Sequence, residues 1–306
     1  MTKIQAWLYA FRLRTLPLAF SAIITGSAIA FIQNREHFKW HVFGLCLLTT
    51  LLLQILSNLA NDYGDSEKGT DNENRIGPMR AVQGGMISLG EMKVGIIITT
   101  VLSLACGSYL VIEGTKGLDL SKIVIFMVLG VAAIAAAIKY TVGENAYGYS
   151  GLGDVAVFVF FGLVGVYGSY YLLSHQGNYR VFLPAVSIGF FSAAVLNLNN
   201  MRDIENDILS RKMTLVGRIG LQRAKQYHNT IIILGFIATI IYVYMTLVSS
   251  MQFLFILTLL LFKKHLNVVN GIERPKDFDP QLKQLAISTF IFSVLFAVGI
   301  IVGSEG

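Results

Sequence analysis

Charge is what this sequence has least of. Only 14% of its 306 residues are Asp, Glu, Lys or Arg, where soluble domains carry about 25%. So little charge excludes an ordinary water-soluble domain. The scarcity is also organised: residues 15–34, 40–61, 94–112, 123–138, 155–179, 181–201, 226–262 and 284–304 contain no Asp, Glu, Lys or Arg. A helix of about 20 apolar residues crosses the hydrocarbon core of a bilayer, so each run is a candidate span. The run 226–262 is too long for one helix, and Ser249 and Ser250 offer a polar break within it. Nine spans are expected. Cysteine is scarce as well: Cys46 and Cys106 both fall inside spans, and neither a disulfide framework nor a thiolate metal centre follows from them. The segment before Ala28, Ile29 and Ala30 has the look of a signal peptide, but its apolar run is too long for one. It reads as an uncleaved first span.

The net charge of +6 is not a nucleic-acid footprint. Nine spans place the chain ends on opposite sides, and the basic residues then divide nineteen to five between the two sides. Positively charged loops stay in the cytoplasm, so the N-terminus is expected there and the C-terminus outside. An even number of spans would scramble this segregation. No linker or low-complexity segment interrupts the pattern, and residues 1–306 read as one all-α integral membrane domain.

Two loops on the basic side are long, 62–92 and 202–225. The first follows a span ending "NLAND", with Asn58 and Asn61; the second follows one ending "NLNNMRD", with Asn197, Asn199 and Asn200. Acids and then bases follow each, and each loop contains Arg-Ile-Gly, at Arg75–Gly77 and Arg218–Gly220. The copies lie four spans apart, as in a parallel internal repeat. Asn199, Asp203 and Asp207 share one stripe if the helix continues, because residues four apart face the same way. Asn61 and Asp65 repeat that step, the next position is Gly69, and Asp71 follows. Gly64 and Gly69 would let the chain turn so that Asp71 returns to Asp65; Asp62, one turn earlier, is the other candidate. Acids beside a span are ordinarily solvated loop charges. Two equivalent clusters, each with asparagines at the span end, point instead to a site.

Facing carboxylate clusters suit Mg²⁺, which takes oxygen ligands and is typically held by one or two carboxylates plus substrate phosphates. Asp62, Asp65, Asp71, Asp203 and Asp207 are the metal candidates. Lys68, Arg75, Arg80, Arg202, Arg211 and Lys212, together with Asn61 and Asn199, suit the phosphate oxygens, arginine especially through its fork. With no Walker-type glycine loop and an otherwise apolar interior, a lipid diphosphate is the expected ligand. His175 and His265 show no partner spacing and read as interfacial.

At these residues the chain resembles the UbiA-type intramembrane prenyltransferases. The resemblance covers essentially the whole chain and is carried by "RLRTLPLA" (12–19), residues 58–85, "YTVGENAYGYSGLGDVAVFVFFG" (140–162) and residues 197–220. It implies nine helices around a central cavity, and Mg²⁺-diphosphate held between the two aspartate motifs. It further implies transfer of a polyprenyl group from polyprenyl diphosphate to an aromatic acid. Within the family the match is to the menaquinone-pathway branch, which implies 1,4-dihydroxy-2-naphthoate as acceptor, loss of CO₂, and a bacterial inner-membrane location. Gly69 departs from the family pattern, where a second spaced Asp is common. Residues 139–154 form a glycine-rich third loop with Tyr140, Tyr147 and Tyr149. Aromatic faces there would stabilise an allylic cation by about 2 kcal/mol each when desolvated, or serve only as interfacial-belt tyrosines. Asp154 is the candidate general base. Two alternatives stay open: another acceptor such as 4-hydroxybenzoate, and a cation-coupled transporter, which would need ionisable groups at mid-membrane.

Overall fold

The protein is described by a computed structural model over residues 2–73 and 75–304. Among these residues nine helices are long and apolar enough to cross a membrane: α1 (Lys3–Gln33), α2 (Trp40–Glu67), α3 (Leu89–Gly114), α4 (Leu120–Lys139), α5 (Gly153–Ser174), α6 (Tyr179–Arg202), α7 (Leu221–Met245), α8 (Ser250–Gly271) and α9 (Pro275–Gly303). There is no strand among them. In a bilayer every backbone amide must be satisfied internally, and helices do this within one segment. The longest uncharged run divides where its serines stand. Met245 ends α7, and Ser249 caps α8 through its side chain, with Gln252 reaching back to the Ser249 amide.

Local chemistry explains the other irregularities. Arg12 adopts a left-handed conformation (φ 49°) that bends α1, and Pro17 restarts the helix, its missing N–H costing nothing in the first turn. The bend frees the carbonyl of Phe11, which Asn58 of α2 satisfies at 3.0 Å. Ser88 and Glu91 form a capping box at the start of α3, and Lys3 reaches Glu91 at 2.7 Å. The start of α1 therefore lies against the first long loop.

The bundle is unevenly packed. Between α6, α7, α8 and α9 the rings of Phe191, Phe236, Phe262 and Phe292 sit with centroids 4.9 to 5.4 Å apart, tilted or edge-on, the arrangement aromatic quadrupoles favour. By contrast, α4 buries no residue. It packs on α2 and α3 and turns one face to a cavity of about 340 Å³ lined by residues of α1 to α6. Leu53, Phe126, Ala133, Phe160 and Leu172 represent its apolar wall, whereas Gln54, Asn58, Asn61, Tyr140 and Tyr147 line it near the long loops.

His265 is not interfacial. It is fully buried, its Nε2 lies 2.9 Å from that of His228, and Gln281 of α9 meets its Nδ1 at 2.8 Å. The partner comes from another helix, so no spacing announced it. His175 does end a span, at the close of α5.

The wall of α5 contains a ten-residue π-helical stretch, Phe158–Tyr167, a form that concentrates at functional sites. It is held on α6 by small residues: a Cβ on Gly162 would stand 2.6 Å from the Ala185 carbonyl and the Gly189 Cα, the close approach that small residues allow between membrane helices. Gly162→Leu is expected to destabilise the protein by ~1–3 kcal/mol through overpacking, read as a lower unfolding temperature in detergent. Gly44→Leu, at an exposed position with nothing within 4 Å, should leave that temperature unchanged.

Candidate functional site

The first aspartate motif is shaped by where α2 stops. Asn58, Asn61, Asp62 and Asp65 ride its last turns. Gly69 then reverses the chain with φ +71°, and the amides of Thr70 and Asp71 both donate to the Asp65 carbonyl, at 2.9 and 3.2 Å. Asp71 thereby folds back over Asp65. The Arg80 guanidinium joins the two, with Nη2 2.9 Å from Asp65 and Nε 2.9 Å from Asp71, and Arg75 adds a 2.9 Å contact to Asp71. Gly64 plays no part in the turn. It is helical, and its lack of a side chain serves packing, since a Cβ there would press on the Thr141 backbone at 2.7 Å.

Asp62 stands apart. Its two oxygens accept the backbone amides of Ala81 and Val82 at 3.0 and 3.3 Å, which anchors the returning loop and places Arg80. The structure therefore brings Asp71, not Asp62, to Asp65. The reason is that Asp62 is fully buried beneath that loop, with each oxygen accepting one of its amides.

The second motif is not the continuous helical stripe expected. Helix α6 ends at Arg202, Asp203 is the junction, and a separate short helix spans Ile204–Leu209. The amide of Asp207 still donates to the Asp203 carbonyl at 2.8 Å, so the carboxylates remain one turn apart. Arg202 grips Asp203 with two nitrogens at 2.9 and 2.7 Å, the bidentate geometry of a strong pair. It also holds Asn199 at 2.8 Å and, through Nη1, Asp279 of α9 at 2.6 Å. Asn199 is thus engaged by Arg202, and Arg202 by two carboxylates as well. Arg211 is exposed and adopts φ +56°; the structure does not bring it to the cluster, but its turn sends Lys212 inward. The Lys212 ammonium lies 3.7 Å from Asp65 and 3.7 Å from Asp207.

Further contacts join the motifs. Asn206 donates to the Thr70 carbonyl at 2.8 Å, and the Tyr149 hydroxyl meets Asp65 at 2.8 Å and Thr70 at 2.6 Å. The Arg-Ile-Gly echo does not extend to function: Arg75 is in the cluster, while Arg218 bonds the Ser150 carbonyl at 2.9 Å. Of the three tyrosines, Tyr140 and Tyr147 pack edge-on at 5.4 Å and line the cavity. Tyr149 does not line it; its ring faces Lys68 at 4.1 Å and Lys212 at 5.4 Å. Asp154 is buried, beside Tyr227, with one oxygen lacking a hydrogen bond.

These acids are buried rather than solvated, and burial divides them. It pushes Asp71 and Asp207 up to about 6 in spite of Arg80 and Lys212 respectively. Burial acts on Asp203 too, but the Arg202 fork outweighs it and holds that carboxyl below its usual range. Lys212 would be lowered by burial, yet Asp65 and Asp207 hold it above the usual lysine range. Asp71 and Asp207 thus remain under-compensated and would gain from a further cation. Buried oxygens without a hydrogen bond remain on Asp207 of the cluster and on Asn197 and Asn200 in the last turns of α6. No three His, Cys, Asp or Glu side chains converge as a metal cage among the described residues. Such a donor set fits a hard cation that completes its shell with water and phosphate.

Thr70, Asn206 and Asp279 were not legible as site residues. Asn206 sits in the motif but reads as a loop polar group, and Asp279 lies 77 positions from Arg202. Removing a buried acceptor costs ~1–3 kcal/mol, so Asp62→Ala is expected to deprotect the amides of residues 80–86. Hydrogen exchange measures this, and the loop around Lys212 should keep its protection.

Comparison with known proteins identifies the family and the fold. The model of the UbiA prenyltransferase family matches residues 20–294. A 1,4-dihydroxy-2-naphthoate octaprenyltransferase of Haemophilus influenzae is 43% identical over 98% of this chain and 97% of its own length. A UbiA homologue from Aeropyrum pernix K1 superposes with TM-score 0.66 at 14% identity, covering 99% of this chain and 98% of that one. Another, from Archaeoglobus fulgidus and bound to DMAPP and Mg²⁺, gives TM-score 0.60 at 15% identity, covering 94% and 99%. A multi-pass helical membrane protein with two facing aspartate motifs at the mouth of an apolar cavity, this chain belongs to the UbiA prenyltransferase family.

Proposed function

We propose that this protein transfers a polyprenyl group from polyprenyl diphosphate to 1,4-dihydroxy-2-naphthoate, releasing diphosphate and CO₂ and giving demethylmenaquinol. We place it in the bacterial inner membrane as one domain over residues 1–306, the long loops and N-terminus cytoplasmic, the C-terminus outside. The observation that carries this reading is a buried cluster of carboxylates and guanidinium groups next to an apolar cavity. The name of the Haemophilus relative supports the acceptor.

Asp65, Asp71, Asp203 and Asp207 would hold Mg²⁺, which when bound supplies positive charge against the phosphate oxygens. Arg75, Arg80 and Lys212 bind those oxygens, with Lys68 at the rim. Charge that builds on the leaving diphosphate meets preorganised donors in a site of low dielectric, where electrostatic stabilisation is strongest. The apolar wall receives the prenyl tail and keeps water from the allylic carbon. Tyr140 and Tyr147 present ring faces and edges at the cavity end nearest the cluster, where that carbon lies. The C–O bond breaks with its electrons going to diphosphate, the acceptor ring forms the new C–C bond, and CO₂ leaves with the carboxylate carbon. Asp154, whose Oδ1 has no hydrogen-bond partner, takes the acceptor's hydroxyl proton as the ring attacks and returns it once loss of CO₂ has left its bonding electrons in the ring, which restores the quinol.

Asp65→Ala and Asp203→Ala are each expected to lower turnover by at least roughly 10²-fold while membrane insertion is unchanged. The assay is release of diphosphate and CO₂ from labelled prenyl donor and naphthoate, with and without Mg²⁺. Normal turnover in either variant would refute the clamp, and transfer to 4-hydroxybenzoate in place of the naphthoate would reassign the acceptor.

A further inference from the structure

Among the described residues one cation reaches both aspartate motifs. Of the acids, Arg75 contacts only Asp71 and Arg80 only Asp65 and Asp71, all in the first motif and at 2.9 Å. Arg202 contacts Asp203 and Asp279, at 2.7 and 2.6 Å. Lys212 differs in kind. Its ammonium is buried, stands 3.7 Å from Asp65 Oδ1 and 3.7 Å from Asp207 Oδ1, and at those distances makes a hydrogen bond to neither. It is centred by charge and backbone, not gripped. Arg211 supplies the left-handed turn, the Lys212 amide donates to the Asp207 carbonyl at 2.7 Å, and the Tyr149 ring flanks the ammonium at 5.4 Å. Asp207 Oδ2, on the same carboxylate, has no hydrogen-bond partner.

We propose that Lys212 is the resident counter-ion of the metal-free site: it stands in for a divalent cation shared by the two motifs and exchanges with it, so that metal binds firmly only together with a diphosphate. This rests on the metal-diphosphate reading above and adds an order of charges to it. Without metal, Asp65 shares Arg80 with Asp71, and Asp207 has Lys212 as its one ion-pair partner among the described residues; a buried carboxylate left without a partner is strongly destabilising. Lys212 supplies that partner and keeps the two loops together. A divalent ion that arrives alone meets a buried like charge. One that arrives with diphosphate brings an anion able to take the displaced ammonium, and lysine suits that exchange because its charge is a compact point on a flexible stem. The loosely held lysine and the tightly forked arginines thereby have different duties. The arginines keep the carboxylates in place; the lysine yields.

The test is Mn²⁺ binding, followed by the loss of the free-ion paramagnetic signal, on the whole detergent-solubilised protein with and without inorganic diphosphate. Wild type should bind Mn²⁺ weakly alone and more tightly with diphosphate. Lys212→Met should bind Mn²⁺ alone roughly tenfold more tightly than wild type, because a buried like charge is gone, and should lose most of the gain from diphosphate. Lys212→Arg, which keeps the charge, should resemble wild type without diphosphate. Lys212→Gln serves as a second neutral variant should the methionine protein not fold, with the same expectation. Unchanged or weaker metal-only affinity in the neutral variants overturns the exchange, as does equal tightening in Lys212→Arg. Wild type that fails to bind Mn²⁺ even with diphosphate would instead overturn the metal-diphosphate reading itself.

Discussion

A carboxylate buried at the end of a membrane helix has to find a cation or a set of amides, because its hydration is gone and the low dielectric offers no substitute. Much of the motif face of this protein follows from that requirement. Asp62 takes two backbone amides and so fixes the path of the first loop. That path delivers Arg80 to Asp65 and Asp71. Arg202 takes Asp203 and reaches on to Asp279, tying the second motif to α9. Lys212 then draws the two motifs together. Removing one partner of a buried ion pair costs ~3–5 kcal/mol, so these contacts act as a unit.

The helices set the stage on which such a cluster is useful. Dense aromatic packing between α6 and α9 makes a firm half, whereas α4, with no buried residue, leaves room for the cavity between itself and the π-helical segment of α5. The polar cluster caps the cavity end at which Asn61, Tyr140 and Tyr147 emerge. A charged headgroup and an apolar tail would meet complementary surroundings a few residues apart. The transporter alternative has no such support: the site acids Asp62, Asp65, Asp203 and Asp207 stand at span ends or in the adjoining loop.

What could be read from residues alone follows the reach of each signal. Hydrophobic runs are local and long, so all nine spans were legible, down to the break at Ser249. The doubled motif was legible because two short patterns repeat at a fixed topological distance. Whether Asp62 or Asp71 accompanies Asp65 was not, because it depends on backbone amides nineteen and twenty positions away. The same holds for Asp279 behind Arg202, Asn206 on Thr70, and the His228–His265 pair. Each is a contact between elements distant in sequence, made of residues that look ordinary where they stand. Arg211 fails for the opposite reason: it carries the right charge in the right loop, but its left-handed backbone points the next residue inward instead.

The central claim is that two distant motifs form one charged centre. A double-mutant cycle tests it most directly, with Asp65→Asn, Asp207→Asn and the pair compared for affinity toward inorganic diphosphate in Mg²⁺ by calorimetry. Residues that share one network couple by ~0.5–3 kcal/mol, and a coupling in that range is the expected result. Strictly additive losses would contradict a shared centre.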